Sequence, residues 1–347
     1  MTASALRIAV ISPVWFPVPP TGYGGIEWIV WLLADGLVDA GHDVTLFASG
    51  DSHTKARLAS VYCTAPSARI GQTLPELHHC LACYASADEF DVINDHSGLP
   101  SALIGGLVDK PTLHTIHGPL DGEGGVIYEQ IAEVAPRIGF ISISMNQRKP
   151  REELPWVANV PNALDFSVYP VHPHRGEYLL FLGRLNPDKG AHRAVALAVE
   201  HDLPLKIAGK KREPAEEQYF RELIEPHLRA GRIEYLGEVT HGEKVELLQN
   251  ARATLFPIDW EEPFGLVMIE SMACGTPVIA TRRGSVPEVI EHGRSGIVVD
   301  DWREMADALE QADALDPLEL RRAAEERFSK ERMVADYVAA FERRIRA

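Results

Sequence analysis

The chain has 347 residues, 46% hydrophobic and 24% charged, enough apolar material for two separate cores. Its formal charge of −16 argues against nucleic acid as a partner, because that binding rests on cations set against phosphate, and against stable adhesion to an anionic membrane. Residues 1–165 hold 9 Lys or Arg against 18 Asp or Glu, so the first half carries an acidic excess of its own.

Leu6-Arg7-Ile8-Ala9-Val10-Ile11 is interrupted by Arg7 and closed by Pro13 and Pro17, so it reads as a strand and not as a signal peptide. No stretch approaches the length that spans a bilayer. Pro19-Pro20-Thr21-Gly22-Tyr23-Gly24-Gly25-Ile26-Glu27 follows, ahead of a helical pattern over 28–37. Glycines such as Gly24 and Gly25 let backbone approach a phosphate at a helix start. The spacing fails as a dinucleotide fingerprint, because Glu27 stands at the third glycine position.

Further strand-like runs fall at 44–47, 91–94, 112–116 and 138–142. His78-His79-Cys80-Leu81-Ala82-Cys83 has no second ligand pair and reads as one helix with buried thiols, not as a zinc site. With Cys63 and Cys274 these make four scattered cysteines, too few for a disulfide framework and in keeping with a reducing cytoplasm. Asp95-His96-Ser97 ends one strand. In Thr112-Leu113-His114-Thr115-Ile116-His117-Gly118, residues three apart on a strand point to opposite faces, so His114 and His117 cannot share one unless the strand ends between them.

Residues 161–163 and 169–174 form a polar, proline-rich bridge, after which the pattern restarts with strands at 178–184, 205–208, 233–236, 253–256, 278–280 and 297–299. Strands alternating with helix-length segments specify parallel sheets covered by helices. The domains are therefore read as 1–165 and 166–329, followed by an amphipathic helix over 330–347. Gly183-Arg184-Leu185-Asn186-Pro187-Asp188-Lys189-Gly190 sets two cations five residues apart where a strand runs into a helix, a pairing suited to a departing diphosphate. Gly237-Glu238-Val239 occupies the corresponding turn of a later strand.

The most informative segment is Trp260-Glu261-Glu262-Pro263-Phe264-Gly265-Leu266-Val267-Met268-Ile269-Glu270-Ser271. Pro263 suits a first helical turn, so a helix is expected to begin near Phe264, with Glu262 in the preceding loop and Glu270 two turns inside. The N–H groups of Phe264, Gly265 and Leu266 would seat an anion such as a diphosphate. A carboxylate on either side of that seat can accept from hydroxyls, Glu262 from a sugar and Glu270 from a ribose.

From Phe256 to Val299, through Gly275-Thr276-Pro277 and Gly284-Ser285-Val286-Pro287-Glu288, the chain closely resembles the donor-binding core of family 4 retaining glycosyltransferases of the GT-B fold. The resemblance implies two doubly wound, Rossmann-like α/β domains facing across a deep cleft, an N-terminal acceptor domain and a C-terminal donor domain, with the last helix crossing back onto the first domain. It makes Arg184 and Lys189 the phosphate-binding cations, places the base at Glu238 and Val239 through backbone contacts, and assigns His117 to the transferred sugar, with Gly24 and Gly25 in the glycine-rich first loop; Asp95 and His96, at an earlier strand end, are expected to line the acceptor side. The implied activity is transfer of a hexose from a nucleotide sugar, UDP-glucose-like first and GDP-mannose next, to an acceptor hydroxyl with retained configuration; relatives acting on anionic lipids are expected to present a basic N-terminal face, which the acidic first half lacks, so a soluble acceptor is expected. No metal or other cofactor is expected: the nearest approach to an Asp-x-Asp pair, Glu89-Phe90-Asp91, is poor and misplaced, and the helix terminus and cations already offset phosphate charge. The competing readings are a nucleotide-sugar epimerase, disfavoured by the two glutamates with Arg184 and Lys189, and a non-catalytic sensor, which would not need both His117 and Glu262. Ala163 stands where the family usually has glycine.

Overall fold

The computed structural model describes residues 5–22, 24–228 and 231–347, so Tyr23 of the glycine-rich loop lies outside the described residues. The chain divides into two compact units, one formed by Met1–Ala163 with Lys330–Ala347 and the other by Leu164–Ser329.

In the first unit β1 (Arg7–Ile11), β2 (Asp43–Phe47), β3 (Arg57–Ala59), β4 (Val92–Asp95), β5 (Thr112–Thr115), β6 (Ile138–Ser142) and β7 (Trp156–Asn159) form a sheet in the order β3-β2-β1-β4-β5-β6-β7. Every pairing is parallel. Helices lie on both faces, so Ile8, Ala9, Val10 and Ile11 are all fully buried, and this is why β1 reads as a continuous apolar run. The helix Lys330–Arg346 belongs to this unit: Tyr337 is buried with its hydroxyl 3.1 Å from Thr115 Oγ1, and Arg332 donates to the Pro161 carbonyl at 2.7 Å. Cys80 and Cys83 are buried on the helix Thr73–Tyr84, and burial raises both thiol pKa values.

The second unit contains β8 (Tyr178–Leu182), β9 (Leu205–Ala208), β10 (Ile233–Gly237), β11 (Ala251–Phe256), β12 (Val278–Thr281) and β13 (Ile297–Val299), ordered β10-β9-β8-β11-β12-β13 and again parallel. Its core joins Leu179 and Phe181 to Val195 and Leu197 of the helix Ala191–Glu200 and to Leu255 and Ile279. In each sheet the winding direction reverses once, between β1 and β4 and between β8 and β11, where doubly wound sheets bind ligands at the carboxyl ends of their strands. Among the described residues no helix is long and apolar enough to cross a membrane.

One local expectation is corrected. The helix after Pro263 spans Leu266–Ala273, two residues later than the proline suggested. Gly265 is its N-cap at φ 78°, a left-handed conformation that stops the helix extending back to Phe264 and places Glu270 just past the first turn.

Candidate active site

At the carboxyl edge of the second sheet, Arg184 and Lys189 follow β8, Lys210 follows β9, Glu238 follows β10, and the segment carrying Glu262 follows β11. Asn186 Oδ1 accepts from the Lys189 backbone N–H at 3.0 Å, and Asp259 N donates to the Asp188 carbonyl at 3.0 Å, tying the β8 turn to the β11 turn. Lys189 Nζ is ion-paired with Glu262 and stands 4.7 Å from the centre of the Trp260 ring, whose Nε1 donates to Glu262 at 3.0 Å. The expected phosphate cation and the expected sugar carboxylate are thus in direct contact. Glu262 is buried, and its backbone carbonyl accepts from Ser285 N at 2.9 Å while Ser285 Oγ donates to the Phe264 carbonyl at 2.8 Å. The turn before Ser285 has to be glycine: a Cβ on Gly284 would sit 2.3 Å from Glu262 N.

Arg184 donates to Glu216 Oε1 at 2.6 and 2.8 Å and to Glu213 at 3.1 Å. Burial works against the Glu216 charge, but Arg184 and the backbone N–H groups of Arg212 and Glu213 hold its carboxyl below the usual range. Burial, with Arg184 and Arg212 nearby, lowers the pKa of Lys210. Glu270 is likewise engaged, ion-paired with Lys244 and accepting from the Tyr169 hydroxyl at 3.0 Å. Glu238 is exposed and held by Arg212 at 2.6 Å, next to Val239 and the capped start of the helix His241–Gln249. Trp260, Lys244 and Tyr169 were not singled out from the sequence.

Gly265 gives a direct check on the helix start. Gly265→Ala forces a side chain into φ 78°, with its Cβ 3.1 Å from the Phe256 ring. A loss of about 1–2 kcal/mol is expected from the left-handed conformation alone, read by urea unfolding, together with weaker nucleoside diphosphate binding. Unchanged stability and affinity would show that the helix start tolerates realignment.

In the first unit, Gly24 caps the helix Gly25–Asp39, and Glu27 of its first turn is buried. His117 lies just beyond β5, half-buried, with Nε2 2.9 Å from His96 Nδ1 and the two rings stacked 5.2 Å apart. Its backbone is clamped on both sides, because Gln147 Nε2 donates to the Ile116 and Gly118 carbonyls at 2.9 and 2.8 Å. Gln147 was overlooked, although Ser144-Met145-Asn146-Gln147 has the spacing of a helix cap and the Gln147 N–H does donate to Ser144 Oγ at 3.1 Å.

Asp95 and His96, expected to line the acceptor side, are instead interior. Asp95 is fully buried and accepts from Ser97 N and Oγ, Tyr84 and His114; burial opposes its charge, but His114 and the Ser101 and Ser97 hydroxyls hold its pKa at about 2. His114 is satisfied structurally, bonded to Asp95 and to the Tyr128 hydroxyl at 3.1 Å each. His96 lies behind His117, with 1% exposure. Among the described residues no group of three or more His, Cys, Asp or Glu is arranged to hold a metal.

Burial keeps several of these histidines neutral. It lowers the pKa of His79 and His96, and with His114 it brings His117 to about 3. In the unfolded chain each takes up a proton near pH 6.5, so between that pH and about 3 the unfolded state binds more protons. Stability is therefore expected to be fully present above pH 6.5 and to decline as the pH falls toward 3. Urea midpoints measured from pH 8 to 4 check this; a flat profile over that range would contradict it.

Two family models match the chain consecutively, "Glycosyltransferase Family 4" over residues 23–158 and "Glycosyl transferases group 1" over residues 168–331. The chain belongs to the family 4, group 1 glycosyltransferases. A relative, the phosphatidyl-myo-inositol mannosyltransferase of Mycolicibacterium smegmatis, is 26% identical over 88% of this chain and 84% of its own. Among solved structures, AviGT4, a glycosyltransferase involved in Avilamycin A biosynthesis, superposes with a TM-score of 0.75 at 27% identity over 98% of both chains. Anabaena HepE in complex with UDP and glucose has the same fold, with a TM-score of 0.75 at 19% identity over 97% of this chain and all of its own. The fold of this glycosyltransferase is GT-B, and its chemistry is glycosyl transfer.

Proposed function

We propose that this glycosyltransferase moves a hexose from a nucleotide sugar, a UDP-hexose such as UDP-glucose in preference to GDP-mannose, to a hydroxyl of a soluble acceptor with retention of configuration and without a divalent metal. The observation that carries the reading is the Lys189, Glu262 and Trp260 cluster set just before the helix Leu266–Ala273, with Arg184 on the neighbouring turn. The helix N-terminus and Lys189 offset charge that grows on the departing diphosphate, which is the part a metal would otherwise play. Glu262 accepts from the hexose hydroxyls and His117 contacts the same sugar. The leaving phosphate oxygen takes the acceptor proton as the new bond forms on the face it vacates. Glu270, beside Tyr169 and Lys244, faces the ribose.

The uridine preference is supported by the UDP and glucose bound to HepE, a protein of the same fold. A soluble acceptor is supported by the acidic excess over residues 1–165. The test is a thermal-shift comparison of UDP, GDP and ADP followed by slow donor hydrolysis in EDTA. UDP at 100 times its dissociation constant should stabilise by about 2.7 kcal/mol. UDP-hexose should be hydrolysed in EDTA, releasing a sugar of retained configuration. Stabilisation by GDP alone would replace the donor, loss of turnover in EDTA would overturn metal independence, and binding without any turnover would leave a sensor.

A further inference from the structure

Behind His117 runs a hydrogen-bonded chain whose direction is set by a backbone carbonyl. Asn94 Nδ2 lies 3.2 Å from the Leu113 carbonyl oxygen, which can only accept, so the amide nitrogen faces it. Asn94 Oδ1 is then the atom 2.7 Å from His96 Nε2, and because an amide oxygen only accepts, that ring nitrogen carries the proton. A neutral imidazole has a single N–H, so His96 Nδ1 is a bare acceptor. It lies 2.9 Å from His117 Nε2, which must donate to it. Nδ1 of His117 is left with its lone pair, and among the described residues it has no hydrogen-bond partner.

We propose that Asn94 and His96 are positioning residues that lock His117 in the Nε2–H tautomer, so that His117 Nδ1 serves as an acceptor for a substrate hydroxyl. The neutrality this needs is supported by His96 having 1% exposure and by burial lowering the pKa of both histidines. Asn94 is itself fully buried and also lies 3.3 Å from Thr115 Oγ1, and its amide cannot turn over without losing the Leu113 bond and setting oxygen against oxygen there. The arrangement selects for a group that can donate: a hydroxyl fits, and fluorine in its place does not. The identity of the hydroxyl as one on the donor sugar rests on the function proposed above, whereas the tautomer lock does not.

The test is long-range 1H–15N correlation of the histidine rings in the ligand-free protein at pH 7.5, with His117→Phe and His96→Phe used for assignment. The wild type should show His96 and His117 each in the Nε2–H form alone, and Asn94→Leu, or Asn94→Ala if the larger side chain does not fold, should convert His117 to a mixture. Nδ1–H or a mixture in the wild type overturns the proposal, as does a pure Nε2–H form that persists in the Asn94 variant. Binding of a set of mono-deoxyfluoro UDP-hexoses supplies the substrate arm. One position should lose about 10-fold or more in affinity, as expected for a single hydrogen bond, and that loss should vanish in His117→Phe. A confirmed lock with no such position leaves the tautomer assignment standing and removes His117 from the donor site.

Discussion

Glu262→Gln is expected to lower turnover by about 100- to 1000-fold, the scale of losing one preorganised group at a reacting centre, while nucleoside diphosphate binds several-fold more tightly. The split follows from the ion pair. Lys189 is ion-paired with Glu262, so a diphosphate must draw Lys189 away from a carboxylate that also repels it. Glutamine removes both the competitor and the like charge, yet no longer offers hexose hydroxyls an ionised acceptor. Calorimetry with UDP and single-turnover donor cleavage separate the two effects. Wild-type turnover would remove Glu262 from the reacting centre, and weakened UDP binding would show that the ion pair holds the phosphate seat in shape. Glu270→Ala should differ in kind, mainly weakening nucleotide binding.

The largest effect on stability is expected at Tyr337. It is among the largest fully buried side chains, its ring lies 5.8 Å from His96, and its hydroxyl meets Thr115. Tyr337→Ala should cost about 3–5 kcal/mol through lost burial and the cavity left behind. Tyr337→Phe keeps the ring and should cost only about 1 kcal/mol. Urea unfolding measures both; a Tyr337→Ala protein as stable as the wild type would mean that the last helix contributes nothing to the unit on which it lies.

The central strands were legible because a strand covered on both faces is apolar throughout: β1 and β6 occupy the runs read from the sequence, Arg7–Ile11 and Ile138–Ser142. The two strands overlooked, Arg57–Ala59 and Trp156–Asn159, are the edges of the first sheet, where half the neighbours are missing and burial is partial. The helix at Leu266 was displaced because Pro263 was weighed and the left-handed freedom of Gly265 was not. What no spacing encodes is the partner of each charge. Lys189 and Glu262 are 73 residues apart, and Lys244 and Glu270 are 26 apart on different elements, so their contact is decided by the sheet order and not by local pattern. Asp95 and His96 looked accessible at a strand end, but the groups that enclose them come from the helix Thr73–Tyr84, from β5 and from the last helix.

The chain leaves the first unit after Ala163 and returns to it at Lys330, so the second unit is an insertion in the first. During synthesis the seven strands of the first sheet emerge long before Tyr337, and they wait with the seat beside Thr115 and His96 open. The contiguous Leu164–Ser329 unit can complete its own core in the meantime. A nascent chain halted after Ser329 and before the last helix therefore carries a finished second unit and an unfinished first one, and the histidine pair acquires its final surroundings only when the last helix arrives.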